Sequence, residues 1–388
     1  MSSTLAVAGH QLTLLRNGEE YFPHLLAAIA AAQHSIHLET YIFAADQEGR
    51  WVAEALQQAA RRGVRVHVLL DGFGSAALPD GWVERMRSAG VTVLWFRQEL
   101  GRFNFRRHRL RRLHRKLVVV DGRLGFVGGI NIISDISPGM HAPRLDFAVE
   151  VSGPVVHDMH AAARRLWALV SWSQLRRRGD RDALPRQLKS DTRQKVAFLL
   201  RDNLRHRRDI ERAYLKAIGQ AQYEIVLANA YFLPGRKFRQ ALVSAAARGV
   251  RVVLLLQGRV DHPLQHYACR ALYGQLLQAG IEINEYHASL LHAKVAVVDG
   301  QWATVGSSNI DPFSLLLARE GNLVVRDAEF AGALRASLLA ALEAGAQRIH
   351  VDHWQGLPLW SRLLTWVSYG VVRLLAGWSG YIRAGEEI

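Results

Sequence analysis

The chain contains two copies of one short pattern whose side chains are suited to chemistry on a phosphate group. The pattern has the form His-x-Lys-x4-Asp-Gly, and it begins at His114 and again at His292. The lysine of each copy, Lys116 or Lys294, follows its histidine by two residues. An imidazole can act as a nucleophile, an acid or a base, and an ammonium group can hold an anionic oxygen. Each copy therefore reads as one half of a phosphoryl-transfer site.

The residues downstream of the two copies also match. A stretch of small residues follows each copy, Gly128-Gly129 in the first and Gly306-Ser307-Ser308 in the second. Asn131 and Asn309 come next, and each follows its histidine by 17 residues. Glycine lets a backbone approach a ligand closely, and an asparagine amide supplies a neutral hydrogen-bond donor beside the lysine. We therefore predict that Asn131 and Asn309 bind phosphate.

Two facing half-sites of this kind suit the cleavage of a phosphodiester. One imidazole would attack phosphorus and form a phosphohistidine, while the other would protonate the leaving oxygen and later deprotonate the incoming hydroxyl. The lysines and asparagines would hold the phosphate oxygens as negative charge develops. Neither copy has a carboxylate triad or a His/Cys cluster at metal-ligand spacing nearby. The sequence thus predicts a reaction without a metal or another cofactor.

The aspartate of the pattern has a different expected role. An Asp-Gly pair between two apolar runs is a strong signal for a two-residue hairpin turn, which gives Asp121 and Asp299 a structural function. One copy of so short a pattern could arise by chance, but two copies at matched positions are much harder to dismiss. The candidate catalytic residues of the pattern are His114, Lys116, Asp121, His292, Lys294 and Asp299.

The order of predicted elements recurs along the chain. Helical spacing, a β-branched strand, a second helix and a second strand precede each copy, and the phrase at 60–66 nearly repeats at 247–252. An internal duplication of roughly 180 residues explains this, and so long a period predicts two α/β domains rather than a solenoid. The predicted segments are a first domain at 1–175, a basic linker at 176–208, a second domain at 209–350 and a Trp-rich tail at 351–388.

Composition restricts the possible partners and compartment. A formal charge of +15 favours a polyanion, either nucleic acid or an anionic membrane. Cys269 is the single cysteine, so no internal disulfide can form, which fits a reducing compartment. The first 18 residues lack a basic segment followed by an apolar core, so we expect no signal peptide and no export.

The C-terminal tail favours the membrane over nucleic acid. It is rich in tryptophan and leucine, and its uncharged run from Leu363 to Val372 is about half the length that spans a bilayer. We expect an amphipathic helix that lies in the headgroup region. The alternative is a helix docked on the protein's own core or on a second subunit.

The duplicated pattern resembles the signature of the phospholipase D superfamily, and the likeness extends from about Leu12 to Ala341. Within the superfamily the chain resembles the bacterial cardiolipin synthases of the short type, which lack N-terminal transmembrane helices. The phrases that carry this likeness are residues 38–43, 127–131 and 303–312, followed by Ser314 and the phrase at 320–323. The resemblance implies two similar phospholipase D-like α/β domains, each a mixed sheet flanked by helices, related by pseudo-two-fold symmetry.

The resemblance also implies roles for further residues. In relatives a carboxylate on a later strand orients each catalytic histidine, which by position pairs Asp146 with His114 and Glu320 with His292. It implies that His114 is the nucleophile and His292 the acid and base, although the two copies are too alike for the sequence to order them. Ala318 departs from the family pattern at a position where related synthases often carry asparagine.

The expected function is transfer of a phosphatidyl group, with phosphatidylglycerol as the donor, to the glycerol hydroxyl of a second phospholipid, which makes cardiolipin. Hydrolysis by water, a metal-independent nuclease and a catalytically silent scaffold are the alternatives, and the basic run from Arg102 to Arg115 could follow a DNA backbone or lipid headgroups. The expected partners are phospholipids and an anionic membrane surface, not nucleic acid, at the cytoplasmic face of the inner membrane. The oligomeric state is left open.

Overall fold

The computed structural model describes residues 3–98, 111–136, 139–174, 194–202, 206–311, 318–356 and 358–378. The predicted basic run and the predicted linker fall largely outside these ranges, and the last ten residues of the tail do so entirely.

The first half of the chain alternates strands and helices. Its strands are β1 (Thr4–Val7), β2 (His10–Arg16), β3 (Ser35–Thr40), β4 (Arg65–Asp71), β5 (Thr92–Phe96), β6 (Lys116–Val120), β7 (Leu124–Gly128) and β8 (Phe147–Ser152). Its helices are α1 (Asn17–Ala31), α2 (Gln47–Arg61), α3 (Asp80–Ser88) and α4 (Val155–Ser173).

The second half repeats this alternation. Its strands are β9 (Val196–Arg201), β10 (Glu224–Asn229), β11 (Arg251–Gln257), β12 (Glu282–Tyr286), β13 (Lys294–Val298), β14 (Trp302–Gly306), β15 (Glu320–Arg326) and β16 (Ala346–Ile349). Its helices are α5 (Asp209–Gln220), α6 (Arg236–Ala247), α7 (Pro263–Arg270), α8 (Tyr273–Gln278), α9 (Ala328–Gly345), α10 (Val351–Gln355) and α11 (Leu359–Trp378).

The two halves form similar sheets. Across the described residues each sheet has eight strands, ordered β1-β2-β8-β7-β6-β3-β4-β5 in the first and β9-β15-β14-β13-β10-β11-β12-β16 in the second. The neighbours β3, β4 and β5 run parallel, as do β10, β11 and β12, and the other pairs are antiparallel. The predicted pair of α/β domains with mixed sheets is confirmed.

The repeated phrase before β4 and β11 shows how the sequence sets these boundaries. Helix α2 stops before Gly63, and α6 stops before Gly249. Both glycines have a positive φ, +92° and +88°, which a glycine adopts without the strain that a side chain would bring. The β-branched residues after each glycine then start a buried strand.

Apolar side chains of the described residues form four clusters, and the three largest define the layers of the fold. One core lies between the outer face of the first sheet and α1 to α3, and a second lies between the outer face of the second sheet and α5 to α8. The third joins the inner faces of the two sheets, with Val119 and Phe147 of one half in the same cluster as Val297 and Leu323 of the other. This shared core holds the two halves together, so burial of apolar surface sets their relative position.

The Asp-Gly pairs lie in the turns that close the β6–β7 and β13–β14 hairpins, and these turns have three residues (121–123 and 299–301) instead of the predicted two. Asp121 and Asp299 have φ values of +53° and +52°, and a glycine with positive φ follows each, as a primed hairpin turn requires. The Asp121 carboxylate accepts backbone N–H groups from residues 33–35 at 2.7–2.9 Å, and the Asp299 carboxylate accepts those of residues 222–224 at 2.8–2.9 Å. Both aspartates lie at the ends of β6 and β13 away from His114 and His292, and their contacts support the turn role.

One predicted boundary is wrong. Val196–Arg201, inside the predicted linker at 176–208, is the strand β9 and pairs antiparallel with β15. The second domain therefore includes residues before position 209. The basic residues that surround this strand obscured its short apolar run, which the sheet accepts because both of its faces are covered.

The two halves differ in a buried ion pair between the start of β6 and its neighbour β3. Arg115 donates two hydrogen bonds to Glu39, at 2.6 and 2.8 Å, and both side chains are buried. Ile36 pairs with Val120 in the first sheet as Ile225 does with Val298 in the second, so Ala228 occupies the position of Glu39. Ala293 likewise stands in place of Arg115. A buried ion pair in one half is thus replaced by two alanines in the other.

We expect Glu39→Ala to lower the free energy of unfolding by about 3–5 kcal/mol, because it leaves the Arg115 guanidinium buried without its partner. The double variant Glu39→Ala/Arg115→Ala, which copies the second half, should cost less than the sum of the two single changes. Urea denaturation of all three variants measures this. Additive costs would show that the two side chains do not depend on each other.

Candidate active site

Each catalytic candidate histidine lies just before a lysine strand and is held by the backbone of the other half. Leu113 forms a parallel bridge with Arg319, and the His114 N–H donates to the Arg319 carbonyl at 3.0 Å. Leu145 forms the equivalent bridge with Leu291, and the His292 N–H donates to the Leu145 carbonyl at 2.9 Å. These reciprocal contacts are what a pseudo-two-fold axis between the halves requires.

Glu320, at the start of β15, holds the imidazole of His114. The Nδ1 atom of His114 lies 3.1 and 3.2 Å from the two carboxylate oxygens of Glu320 and 3.2 Å from the Ser307 carbonyl oxygen. Glu320 is completely buried, and the Ser307 hydroxyl donates to its carboxylate. With Nδ1 engaged in this way, the other ring nitrogen of His114 is left for chemistry.

Asp146, just before β8, holds the imidazole of His292. The two groups meet at 2.6 Å between His292 Nδ1 and Asp146 Oδ2, and the Phe147 N–H donates to the other carboxylate oxygen at 2.8 Å. Gly129 makes room for this carboxylate, because a Cβ at that position would lie 2.2 Å from Asp146 Oδ1. A glycine in the small-residue turn therefore serves the orienting carboxylate as well as any ligand.

The predicted pairing of histidines and carboxylates within one half is wrong. Asp146 and Glu320 are the orienting residues, but each holds the histidine of the opposite half. The bridges from Leu113 to Arg319 and from Leu145 to Leu291 place each histidine beside the carboxylate segment of the other half. Equivalent positions in a repeat are related by symmetry and need not touch, which is why position in the sequence misled the assignment.

Both lysines are buried behind their histidines. Lys116 Nζ donates to the His114 carbonyl at 2.8 Å, and Lys294 Nζ donates to the His292 carbonyl. Burial, with the repulsion of the other lysine, lowers the pKa of Lys116 to about 7 against the opposing effect of Glu320. Burial lowers the pKa of Lys294 to about 8, although Asp146 and Glu320 oppose the shift. Burial thus disfavours the charged form of both lysines, and an anionic ligand beside them would oppose this effect.

The two asparagines line one cavity with the two histidines. This cavity has a volume of about 730 Å³, and His114, His292, Asn131 and Asn309 all face it. Asn131 Oδ1 accepts the Ile42 N–H at 3.1 Å, and this hydrogen bond fixes the orientation of the Asn131 side chain. Asn309 Oδ1 is buried and has no hydrogen-bond partner in the described part of the chain. The structure therefore brings together the histidines and asparagines that the sequence picked out from separate halves.

Several residues of the cavity were missed by the sequence reasoning. Tyr41 packs against the His114 ring with centroids 4.9 Å apart, and the Lys116 ammonium lies 5.3 Å from the centroid of the same tyrosine ring. Arg144 lines the cavity two residues before Asp146. Other polar residues that line it and that the sequence reasoning did not single out are Tyr231, Asp261, His262, Gln265 and Asp311. Arg112, from the predicted basic run, lines it as well. Of the missed residues, only Arg144 could have been found from the sequence. It lies two residues before Asp146, as Ala318 lies two residues before Glu320, so the two halves differ at this position.

The ionisation of the histidine pairs follows from burial. Burial lowers the pKa of His114, with Glu320 opposing the shift, and burial with Lys294 and Lys116 lowers the pKa of His292 well below its ordinary value. Burial alone would raise the pKa of Glu320, but His114 and Lys116 hold it below its ordinary value. Burial raises the pKa of Asp146 to about 6, against Lys294. Both pKa values lie below the ordinary value of histidine, which favours the neutral imidazole.

This arrangement can support attack on a phosphate and proton transfer on its two sides. Two imidazoles with fixed Nδ1 atoms face one cavity with two ammonium groups and two amides beside them. Among the described residues, no group of three or more His, Cys, Asp or Glu side chains is placed to hold a metal ion. The side chains present supply nucleophile, acid, base and anion-binding groups.

Comparison with protein families gives two matches in this chain. A family model described as "Cardiolipin synthase, PLD-like domain", where PLD stands for phospholipase D, matches residues 25–141 and again residues 214–340. Each matched segment contains one copy of the His-x-Lys pattern. The duplication read from the sequence thus coincides with two copies of a known domain.

Curated relatives cover nearly the whole chain. It is 40% identical over 385 residues to cardiolipin synthase B of Shigella flexneri, a match that covers 95% of this chain and 90% of the relative. It is 39% identical to cardiolipin synthase B of Escherichia coli K12 with the same coverage. Among solved structures, phosphatidylserine synthase of Haemophilus influenzae Rd KW20 superposes with a TM-score of 0.69 over 95% of this chain and 94% of the other, at 14% sequence identity, which shows a shared fold.

The crossed pairing predicts which imidazole responds to each carboxylate. In the NMR spectrum of protein with ¹⁵N-labelled histidine, Glu320→Gln should shift the Nδ1–H resonance of His114 and leave that of His292 in place. Asp146→Asn should do the reverse. Histidine-to-alanine variants assign the two signals. The opposite pattern would restore the pairing within each half.

Proposed function

The chain belongs to the family of cardiolipin synthases with phospholipase D-like domains, and from that premise we propose that it is a phosphatidyltransferase that makes cardiolipin. The single observation that carries the mechanism is the pair of imidazoles in one cavity, each oriented through Nδ1 by a buried carboxylate of the opposite half. The same pair would serve attack on phosphorus and protonation of the leaving group in turn.

In the first half-reaction His114 attacks the phosphorus of phosphatidylglycerol through its Nε2 atom. A nitrogen–phosphorus bond forms and the bond from phosphorus to the headgroup glycerol oxygen breaks. For this step His292 must carry a proton, which the bound phosphodiester anion would favour. It gives that proton to the glycerol oxygen, and glycerol leaves. Glu320, hydrogen-bonded to His114 Nδ1, stabilises the positive charge on the ring that carries the phosphatidyl group.

In the second half-reaction the glycerol hydroxyl of another phosphatidylglycerol attacks the same phosphorus. His292, now neutral, takes the hydroxyl proton, while Asp146 stabilises the imidazolium that forms. The new oxygen–phosphorus bond replaces the bond to His114, and cardiolipin is released. The enzyme returns to its starting state with both imidazoles and the proton of His292 restored.

The lysines and asparagines would act on the phosphate oxygens. Lys116 and Lys294 are close behind the histidines, and Asn131 and Asn309 line the same cavity. A phosphodiester anion raises the pKa of a nearby ammonium group, because it favours the charged form. Bound substrate would therefore return both lysines to the charged state in which they stabilise the transition state.

The assignment of His114 as the nucleophile is supported by the family resemblance, whereas the charges around the two histidines favour the reverse order. The pKa of His292 is well below its ordinary value because of burial and the nearby Lys294 and Lys116, which keeps it neutral and nucleophilic. His114 has the ionised Glu320 to support a proton. A covalent trapping experiment decides between the two orders.

Phospholipid substrates place the enzyme at a membrane, and we propose peripheral attachment to the cytoplasmic face of the inner membrane. Among the described residues, no helix meets the length and hydropathy that crossing a bilayer demands. The formal charge of +15 would draw the protein to an anionic lipid surface. Water in place of the second lipid would give hydrolysis in the same site, which is the principal alternative outcome.

Substrate affinity should fall as the pH rises. The free-enzyme pKa values of about 7 for Lys116 and about 8 for Lys294 mean that both ammonium groups lose their charge as the pH passes through this range. Binding of an anionic phosphate then requires proton uptake, so KM should rise by up to about tenfold per pH unit for each neutral lysine, with a smaller change in kcat. A soluble short-chain phosphatidylglycerol is the substrate for this measurement.

A Lys116→Arg variant is the control for this pH effect, because arginine keeps its charge across the range. The alkaline rise in KM should then shrink to the part that Lys294 contributes. A KM that stays constant with pH in the parent enzyme would contradict the lysine explanation.

The central test is incubation with phosphatidylglycerol labelled in its phosphate, in the presence of EDTA. We expect cardiolipin and glycerol as products, and a loss of about 10³-fold or more in His114→Ala and in His292→Ala. With His114 as the nucleophile, His292→Ala and Asp146→Asn retain a labelled enzyme while His114→Ala does not. His157→Ala, at an exposed histidine of α4, is the matched control and should keep full activity.

Labelled His114→Ala would assign the nucleophile to His292 instead. The absence of any lipid product, together with cleavage of DNA, would replace the proposed function with a nuclease.

A further inference from the structure

The C-terminal helix α11 (Leu359–Trp378) turns a mostly small and polar face toward the protein. Thr365, Ser368, Tyr369 and Val372 are buried, at a spacing that places all four on one side of a helix. Tyr369 and Val372 belong to the outer core of the second half, and α11 packs along α7. One face of α11 is therefore docked on the protein itself, as the alternative prediction for the tail had it.

The opposite face of α11 is apolar and exposed. Trp360, Leu363, Val367 and Leu374 are 53–74% exposed, and they lie on the side away from Tyr369. Other large apolar side chains widen this exposed face: Leu364, Trp366, Val371 and Leu375. A helix on the surface of a water-soluble domain normally does the reverse and turns its apolar stripe inward. We call these eight outward-facing residues the α11 face.

The α11 face lies beside the entrance of the reacting cavity. Val372, on the inward side of the same helix, lines the cavity that contains His114 and His292. Pro263 and Leu264, at the start of α7, line the cavity too, and Leu264 is 40% exposed. One helix therefore borders the catalytic cavity on one side and presents hydrocarbon to the surroundings on the other.

We propose that the α11 face is the surface by which the enzyme docks on an anionic bilayer, with the helix lying in the headgroup region and the cavity entrance held at the lipid surface. This inference rests on the proposed function, since it is the lipid substrate that requires the cavity to reach a bilayer. Its occupant is the membrane, not a second copy of the chain.

The composition of the face favours a bilayer as its occupant. Trp360 and Trp366 are amphipathic rings of the kind enriched at the membrane–water boundary, and leucine and valine supply the apolar depth. Arg373 lies against the ring of Tyr369 at 5.7 Å on the flank of the face, where its charge can meet lipid phosphates. The overall charge of +15 adds long-range attraction to the same anionic surface.

The position of the cavity beside α11 also favours a bilayer as the partner of the α11 face. The acyl chains of a phospholipid stay in the bilayer while its headgroup enters a site, because moving two chains into water is very unfavourable. A docking surface next to the entrance lets only the headgroup and phosphate move into the cavity. A second protein copy over the α11 face would cover apolar area, but it would give the lipid no path to the histidines.

The test compares two pairs of exposed apolar residues. Leu363→Asp/Leu374→Asp alters the α11 face, and Leu169→Asp/Trp172→Asp alters two residues on α4 that are 49% and 77% exposed. Flotation with vesicles rich in phosphatidylglycerol measures binding of the full chain. We expect the α11 variant to bind about tenfold more weakly or worse, and the α4 variant to bind like the parent protein. Turnover on vesicles should fall with binding.

Turnover of a short-chain phosphatidylglycerol below its micelle concentration should be unchanged in the α11 variant, because the substituted side chains are outside the cavity. This separates docking from chemistry. If vesicle binding changes as expected while the parent protein makes no cardiolipin, the proposed function fails and the docking surface stands. Vesicle binding equal to that of the parent protein would overturn the docking proposal.

A second measurement does not depend on the double variant folding. Phospholipids brominated on their acyl chains should quench tryptophan fluorescence of the parent protein, and Trp360→Phe/Trp366→Phe should remove most of that quenching. No quenching would overturn the proposal. Light scattering gives the remaining outcome: a parent dimer that the α11 variant converts to a monomer, without a change in vesicle binding, would assign the face to a second copy.

Discussion

The site depends on two hydrogen bonds that cross from one half of the chain to the other. His114 is held by Glu320 and His292 by Asp146, so neither half alone contains an oriented histidine. The apolar core shared by the two sheets keeps these pairs in register. A shift between the halves would separate both pairs together, which explains why the duplicated domains are packed through a continuous core instead of being joined as independent units.

Buried charge is the second constraint, and the two halves meet it differently. Around the cavity, Lys116 and Lys294 face Asp146 and Glu320, so the cations are partly balanced yet still have lowered pKa values. Such a site favours an anionic ligand, because a phosphate near the lysines would favour their charged form. Away from the cavity, Arg115 is matched completely by Glu39, a pair that only the first half contains. The two halves therefore match at the histidines and lysines, and they differ at the buried Arg115–Glu39 pair next to them.

The surroundings of the cavity connect this chemistry with a lipid substrate. Tyr41 covers one imidazole and one ammonium group in the first half, whereas Asp261 and His262 line the cavity from the second half. Helix α11 completes the wall through Val372 and turns its apolar side outward. A near-symmetric centre thus sits inside an asymmetric enclosure, which suits a reaction in which the donor and the acceptor lipids occupy different places.

Local pattern in the sequence determined the hairpin role of Asp121 and Asp299 and the duplicated α/β fold, and it predicted the candidate catalytic groups, because spacing, turn residues and periodicity are properties of short segments. Only the tertiary structure decided that Asp146 serves His292 and Glu320 serves His114, and that β9 belongs to the second sheet. It also decided which side of α11 is buried. These are contacts between distant segments, and a repeat offers each residue two candidate partners, one in its own half and one in the other half. The packing of one half against the other selects between them.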